Sequence, residues 1–212
     1  MGMDMIMLAE RRKPTGEWEP AEALTPISEV FTRFPADDTR QIRVSVYSGR
    51  NYALIDPLLL GVAVGPNGSA GQTYLVEPVA RIRGMPADAT KETLAAHAQY
   101  ADACEVSWVT TAELVAFDWD QEVLEKTTAC MALAPGREAR GWPRVGKRPD
   151  GDGWTEAGAR YPTQFGAILQ DFVRPTGRTY RESCRHFLDP TLPILLAFGP
   201  PDEVRVVFWY SP

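Results

Sequence analysis

The sequence predicts a single α+β domain over residues 1–212, with a mixed or antiparallel sheet whose N- and C-terminal strands are central and whose helices pack on one face. The first observation is the run at residues 204–210, which is almost entirely β-branched and aromatic and alternates too little for a strand with one wet face. The second is capping-box spacing at Thr110 and again at Thr179, which predicts two helix starts. A composition of 44% hydrophobic and 24% charged residues is typical of a globular protein, and 212 residues are enough for one sizeable core or two small ones, of which we expect one domain.

Charge and cysteine content narrow the class of protein. The chain has 22 Lys and Arg residues against 28 Asp and Glu, and its net charge of −6 argues against a whole-surface affinity for nucleic acid or anionic membranes. The three cysteines are odd in number and widely spaced, and the short apolar N-terminal stretch carries Asp4 and leads into charged residues. We therefore expect a cytoplasmic protein without a secretion signal. No apolar run reaches the roughly 20 residues that span a bilayer, so we expect no membrane segment.

The first 50 residues are predicted to form short strands. Residues 3–10 form a first strand, a turn follows at residues 14–16, and we expect this strand to pair with the C-terminal one. Apolar residues at spacings of three and four between residues 20 and 35 indicate a short helical or irregular layer. Alternation over residues 41–47 predicts another strand.

The middle of the chain is predicted to change from strand to helix. The glycine-rich residues 65–71 predict a loop between two β-like segments, 54–64 and 72–82, which together form a hairpin or a strand–loop–strand unit. Thr90 then begins a segment rich in good helix formers, residues 91–100, for which its hydroxyl is the natural N-cap.

Two further helices are predicted from capping boxes. The helix that begins after Thr110 has an apolar pattern that allows it to extend through Leu124. Residues 164–173 form either a short strand or a helix. The helix that begins after Thr179 contains two prolines, which are expected to break or kink it, and it should end at Gly199.

A long loop is predicted over residues 134–162, where glycine, proline and arginine are dense. Loops of more than about 12–15 residues are usually functional or flexible, so this one is either a binding lid or a disordered insertion. Its basic and aromatic residues could bind an acidic partner, although a solvated loop explains them better, and we do not expect nucleic acid. The candidate partner-binding residues are Arg137, Arg140, Trp142, Arg144, Lys147 and Arg148.

Motifs of known chemistry are all incomplete. Residues 141–147 have the glycine and lysine spacing of a phosphate-binding loop, but Arg148 takes the place of the Ser or Thr that would hold Mg²⁺. Cys184 and His186 lack the second Cys-x-x-Cys pair that a zinc site requires. No serine lies in a nucleophile elbow. We therefore predict no catalytic residue, no metal and no cofactor.

A set of polar and aromatic neighbours forms the candidate ligand-binding site. An aromatic ring supplies contact area and an adjacent charge or amide supplies orientation, as in many ligand pockets. The same residues could instead be core rings with satisfied polar partners. The candidate residues are Asn51, Tyr52, Arg83, Trp108, Asp118, Trp119 and Trp209.

Within the C-terminal strand the two faces are predicted to differ. Arg205 is its only charged residue, so it should mark the position where the strand meets solvent or a partner carboxylate. Any site that the strand contacts should lie on the side of Arg205 and Trp209. The opposite face should carry Val204, Val206, Phe208 and Tyr210.

Short segments distributed along the chain match the motifs of one group of proteins. The segments are residues 16–18 (Gly-Glu-Trp), 50–54 (Arg-Asn-Tyr-Ala-Leu), 83–88 (Arg-Gly-Met-Pro-Ala-Asp), 107–119 and 199–210. In these segments the chain resembles an uncharacterised family encoded by bacteriophages and by bacteria, many of them actinobacterial. The resemblance covers most of the chain and implies a phage or bacterial cytoplasmic context without an established activity.

Function hypotheses of different classes follow. The first is a non-enzymatic binding or regulatory protein that contacts a host or phage protein, because no catalytic motif is complete. The alternative is a small enzyme or binding protein for a nucleotide-like metabolite, acting through Asn51, Arg83, Trp108 and Asp118. A structural component of the virion is a weaker third hypothesis.

Overall fold

The computed structural model has an α+β fold of antiparallel strands and short helices, which confirms the predicted class. It describes residues 4–22, 24–26, 35, 41–49, 51–58, 62–64, 70–74, 76, 78–100, 103–133, 149, 151–162 and 167–211. The strands in these ranges are Asp4–Arg12 (β1), Trp18–Pro20 (β2), Leu24–Pro26 (β3), Gln41–Arg43 (β4), Tyr47–Gly49 (β5), Val62–Val64 (β6), Ala70–Tyr74 (β7), Cys104–Thr110 (β8), Glu122–Leu133 (β9), Thr155–Pro162 (β10), Ala167–Thr179 (β11) and Val204–Ser211 (β12). The helices are Tyr52–Leu58 (α1), Lys91–His97 (α2), Thr111–Ala116 (α3), Tyr180–Ser183 (α4) and Arg185–Ala197 (α5).

The chain divides into two compact units, each assembled from separate segments. Unit 1 contains Met1–Asn51, Val79–Phe117 and Cys184–Pro212, and unit 2 contains Tyr52–Pro78 and Asp118–Ser183. The expectation of one domain over the whole chain stays a prediction.

The sheet of unit 1 is organised around the first and last strands, as the sequence predicts. Its order is β2-β1-β12-β8, and β5 also pairs with β1. β1 and β12 are antiparallel along their whole length, from Asp4 opposite Ser211 to Arg11 opposite Val204. Residues 5–10 and 204–210 are buried, which explains why both runs lack polar alternation.

Helices lie against both faces of this sheet rather than one. On the first face, Ala96 of α2 packs against the cluster of Ile6, Leu8 and Trp209. On the other face, Phe187 of α5 packs edge-to-face against Tyr47, which lies opposite Met7 of β1. A strand pair that is apolar on both faces needs cover on both, so the arrangement follows from the composition of β1 and β12.

Unit 2 contains a three-stranded antiparallel sheet and a hairpin. The sheet order is β10-β11-β9, and β6 pairs with β7 as the predicted hairpin. The two faces of the larger sheet carry separate apolar clusters, one with Ala129, Trp154 and Phe172 and the other with Cys130 and Leu169.

The predicted helix caps are confirmed, but the extents of two predicted helices are wrong. Thr90 caps α2, and reciprocal backbone-to-side-chain bonds form capping boxes at Thr110 with Glu113 and at Thr179 with Glu182. The helix after Thr110 ends at Ala116 and does not reach Leu124. It ends there because Phe117 is extended and the next residues form a turn. The helix predicted from Thr179 to Gly199 is divided at Cys184 into α4 and α5, and α5 ends at Ala197.

The predicted loop over residues 134–162 is too long, because its last eight residues form β10. This strand pairs with β11 around an irregularity between Ala157 and Tyr161, which accommodates Gly158. Residues 134–148, with all six candidate partner-binding residues, lie outside the described ranges.

Three other predicted segments also differ from the structure. The predicted strand over residues 41–47 is instead β4 followed by the first residue of β5, because the chain leaves its partner β3 and crosses to β1. Residues 54–58, the start of the predicted β-like segment 54–64, lie in helix α1. The two prolines, Pro190 and Pro193, do not break α5, because both are exposed and water can bind the carbonyl groups that they leave without partners.

Candidate functional site

The candidate site lies on the face of the unit 1 sheet that carries Arg205 and Trp209. Register places Glu10 opposite Arg205 and Ile6 opposite Trp209, so that this face has a charged end and an apolar end. From the neighbouring strand β8, Thr110 lies opposite Arg205, at the charged end. Alternation along the paired strands therefore brings residues distant in sequence onto one surface.

Arg205 is the centre of the charged end and is only 2% exposed. Its Nε donates to Glu10 Oε2 at 2.8 Å, and its Nη1 donates to Asp88 Oδ1 at 2.7 Å. Its guanidinium carbon lies 4.0 Å from the ring centre of Trp18 and 5.5 Å from that of Trp108. Of the two alternatives predicted for Arg205, solvent or a partner carboxylate, the structure shows the carboxylate.

Glu10 is held on its other side by two threonines. Its Oε1 accepts from Thr90 N at 2.9 Å, Thr90 Oγ1 at 2.8 Å and Thr93 Oγ1 at 2.6 Å. Burial raises the pKa of Glu10, but the hydrogen bonds from Thr93, Thr90 and Arg205 outweigh burial and leave this pKa below the usual value. Because Thr90 is also the N-cap of α2, the helix start and the buried carboxylate fix each other.

A second buried ion pair continues the same network. Arg43 Nη1 donates to Thr93 Oγ1 at 2.6 Å, and Arg43 Nε donates to Glu22 Oε2 at 2.7 Å. Glu22 Oε1 accepts from Ala9 N at 2.5 Å. Burial raises the pKa of Glu22 above the usual value, although the charge of Arg43 opposes this rise. The buried charges are thus bonded to one another, which suits a structural role better than proton transfer.

Arg83 extends the stack of cations and rings toward α3. Its guanidinium carbon lies 4.4 Å from the ring centre of Trp108. Both of its terminal nitrogens pair with the carboxylate of Glu113, with Nη1 at 3.0 Å from Oε2. Burial raises the pKa of Glu113, but the hydrogen bonds from Arg83 and Thr110 lower it by a larger amount. This pKa is therefore below the usual value. Rings and guanidinium groups alternate here in the order Trp18, Arg205, Trp108, Arg83.

Two concave features open on this face. The first, here called the groove, has a volume of about 640 Å³ and lies between the β1–β2 turn and the segment before α2. Its lining residues are Arg12, Thr15, Gly16, Glu17, Trp18, Asp88, Ala89 and Thr90. The second, here called the cavity, has a volume of about 280 Å³ and lies between the apolar end of the sheet and α2. Its lining residues are Ile6, Leu8, Arg43, Ser45, Glu92, Ala95, Ala96, Gln99, Tyr100 and Trp209.

The predicted ligand-binding residues separate into two groups. Asn51, Arg83, Trp108 and Trp209 belong to unit 1, and the last three lie on or beside the face described above. Tyr52, Asp118 and Trp119 belong to unit 2.

Two of the unit 2 residues have evident structural roles. Asp118 Oδ1 accepts from Asp120 N at 3.1 Å, which closes a local turn. Trp119 is buried, and its carbonyl oxygen accepts from Arg181 N at 2.7 Å. Tyr52 is the first residue of α1.

Sequence reasoning missed most of the charged network, although one signal was present. Glu10 ends the apolar run of β1 as Arg205 interrupts that of β12, and antiparallel pairing of these two strands brings the two charges together. The other missed residues come from short strands, loops and α2, and no local pattern marks them as partners of Glu10 or Arg205. They are Trp18, Glu22, Arg43, Asp88, Thr90 and Thr93.

Searches for metal ligands, membrane helices and relatives give negative results. Within the described ranges, no three His, Cys, Asp or Glu side chains converge as metal ligands would. None of the helices that the structure describes has the length and apolar character of a bilayer-spanning helix. Comparison of the chain with protein-family models, curated proteins and solved structures gives no match in any of the three.

The opposite pKa directions of Glu10 and Glu22 predict opposite effects on acid stability. A carboxyl group whose pKa is lowered by folding stabilises the protein above its unfolded pKa, and this contribution is lost as pH falls through the folded pKa. A raised pKa acts in the other direction, because the folded protein binds that proton more readily. We therefore expect Glu10→Gln to flatten the loss of unfolding free energy on acidification and Glu22→Gln to steepen it.

Urea unfolding at a series of pH values between about 3 and 7 measures these slopes, over the range in which carboxylates titrate. Wild-type protein in the same buffers is the reference. A change of slope in the same direction for both variants would contradict the assignment.

Proposed function

We propose that this protein is a non-enzymatic binding protein that acts through contacts with another protein, and that the groove recognises a basic segment of that partner. The observation that carries the proposal is the carboxylate of Asp88, whose side chain is 65% exposed although Arg205 holds it in place. The resemblance noted in the sequence favours a phage or host protein of the bacterial cytoplasm as the partner.

Asp88 is organised in advance for binding a cation. Arg205 Nη1 binds its Oδ1 and Arg205 Nη2 binds its carbonyl oxygen at 3.1 Å, so both its side chain and its backbone are fixed. Burial raises the pKa of Asp88, but the hydrogen bond and charge of Arg205 lower it by a larger amount. This pKa therefore lies below the usual value, and the carboxyl group is ionised at neutral pH. A fixed, ionised carboxylate loses little conformational freedom on binding.

The rest of the groove supports a cationic ligand. Glu17 adds a second carboxylate, 75% exposed, and Trp18 adds an aromatic ring beside Asp88. Guanidinium and ammonium groups bind carboxylates and aromatic rings together. The one cation of the lining, Arg12, is tied to the β1–β2 turn by its Nε, which donates to Gly16 O at 3.1 Å. The net charge of −6 would also attract a basic partner over longer distances.

The alternative function, an enzyme for a nucleotide-like metabolite, would use the charges of Arg83 and Asp118. Both groups already have bonding partners within the protein. Arg83 pairs with Glu113 and stacks on Trp108, and Asp118 accepts a backbone hydrogen bond in its turn. Arg83 is thus neutralised by Glu113, and the exposed Asp118 belongs to unit 2 whereas Arg83 and Trp108 belong to unit 1, which favours the binding protein as the better proposal.

Defined peptides test the groove. The probes are fluorescent hexapeptides of alternating glycine with arginine, lysine or glutamate, and the measurement is fluorescence anisotropy at two salt concentrations. We expect the arginine peptide to bind, more weakly at higher salt, and the glutamate peptide not to bind. The double variant Glu17→Gln, Asp88→Asn removes two exposed charge contacts, each of about 0.5–1 kcal/mol. Its affinity for the arginine peptide should therefore be roughly 5- to 30-fold lower.

The matched control removes two negative charges elsewhere. Asp152→Asn with Glu156→Gln changes the same net charge at exposed positions of unit 2. Asparagine at position 88 keeps an acceptor for Arg205, so the fold should be retained, and urea unfolding checks this. Equal weakening in both double variants, or no binding of the arginine peptide, would refute recognition by the groove.

A further inference from the structure

The cavity has the position and size of a small-molecule site that is separate from the groove. The sheet contributes Ile6, Leu8 and Trp209, and α2 with the turn after it contributes apolar and polar side chains opposite them. Its volume of about 280 Å³ is close to the lower end of ligand pockets, which begin near roughly 300 Å³. The space suits a single ring system rather than a peptide.

Trp209, one of the lining residues, carries a buried hydrogen-bond donor. Its ring is fully buried, with the ring centres of His97 at 5.2 Å and Tyr100 at 5.7 Å. Its Nε1 is buried and has no hydrogen-bond partner within the part of the chain that the structure describes. An indole nitrogen can only donate, and buried donors are almost always bonded. A ligand with a hydrogen-bond acceptor would supply the missing partner.

The charges around the cavity limit the class of ligand. Arg43 is already neutralised by Glu22 and bonded to Thr93, so it does not call for an anion. Glu92 is the remaining charged side chain of the lining, and its contact with Lys91 is loose, at 3.8 Å. Its carboxylate would accept an N–H group from a ligand and would repel a phosphate.

We propose that the cavity binds an uncharged, planar heteroaromatic molecule of the nucleobase class. Such a ring combines acceptor nitrogens or carbonyl groups for Trp209 Nε1 with amino or ring N–H groups for Glu92. Its faces fit the aliphatic surfaces of Ile6, Leu8 and Ala96, which also pack together in the core. This site does not depend on the groove or on the partner proposed for it.

The test is isothermal titration calorimetry of the full chain with adenine, cytosine, uracil and adenosine 5′-monophosphate. We expect at least one free base to bind, and the monophosphate to bind more weakly than adenine because of Glu92. Trp209→Phe keeps an aromatic ring, although a smaller one, and removes the donor, and it should weaken base binding about 5- to 10-fold, as expected for the loss of one hydrogen bond.

A pair of matched variants keeps the test independent of the fold of the Trp209 variant. Ala95 lines the cavity and is exposed, so Ala95→Leu should fill the space and abolish binding. Ala98, the exposed C-cap of the same helix, lies outside the cavity lining, so Ala98→Leu should leave binding unchanged. The proposal is overturned if no base binds up to its solubility limit, or if Ala95→Leu binds as well as Ala98→Leu.

Discussion

Arg205→Leu is expected to lower the free energy of unfolding by about 3–5 kcal/mol, the usual effect of breaking a buried ion pair from one side. The substitution leaves the Glu10 carboxylate buried with hydroxyl and amide donors but without its cation. It also removes the guanidinium group that lies against Trp18 and fixes Asp88. Urea denaturation of the full chain, followed by circular dichroism, measures the change.

The control is an exposed ion pair between β1, the strand next to β12, and β2. Arg11 Nε lies 2.7 Å from Glu19 Oε1, but both side chains are accessible to water. Arg11→Leu should therefore cost no more than about 1 kcal/mol. The double variant Glu10→Leu, Arg205→Leu should recover part of the loss, since two apolar side chains replace both buried charges. If Arg205→Leu costs no more than Arg11→Leu, the buried network does not stabilise unit 1 as described.

In unit 2, Asp171→Leu is expected to destabilise the protein by about 3–5 kcal/mol, and by more than Lys126→Met does. Asp171 Oδ2 lies 3.1 Å from Lys126 Nζ, and both side chains are almost completely buried. Asp171 Oδ1 also accepts from Thr128 Oγ1 at 2.7 Å and from Tyr161 OH at 3.0 Å. Loss of the aspartate leaves an ammonium group and two hydroxyls without this partner, whereas loss of the lysine leaves a carboxylate that keeps two donors.

The same two strands provide the control for this comparison. Arg174 of β11 pairs with Glu125 of β9 at 2.7 Å in a more exposed position. Arg174→Met should change the free energy of unfolding by no more than about 1 kcal/mol. Hydrogen exchange of the β9 and β11 amides shows whether the loss arises in this sheet. An equal cost for Asp171→Leu and Lys126→Met would contradict the role assigned to the two hydroxyl groups.

The features that the sequence predicted correctly rest on local signals. Capping boxes at Thr110 and Thr179 involve residues three positions apart, so the sequence displays them directly. The central pairing of β1 and β12 followed from their apolar character, because few segments of this chain can be buried on both faces. Arg205 was informative for the same reason, since a lone charge in such a strand requires a partner.

The features that it failed to predict depend on distant contacts or on weak alternation. β9 mixes Thr, Lys and Glu with small apolar residues, and its first apolar residues continued the pattern of the preceding helix. β10 contains Gly158 and ends in Pro162, a composition typical of a loop. In the site, the bonds from Thr90 and Thr93 to Glu10 span 80 and 83 residues, and no local spacing reports such contacts.

The pairing of β1 with β12 also sets an order of events on the ribosome. Glu10 and Arg205 are 195 positions apart, which at about 5–20 residues per second corresponds to roughly 10–40 s of synthesis. The strands β9, β10 and β11 of unit 2 can meet during that time, since all three lie within Asp118–Ser183. The nascent chain therefore carries β1, an apolar strand with a free edge, until β12 has been translated. In that interval the strand is open to chaperones and to other nascent chains, and aggregation competes with folding.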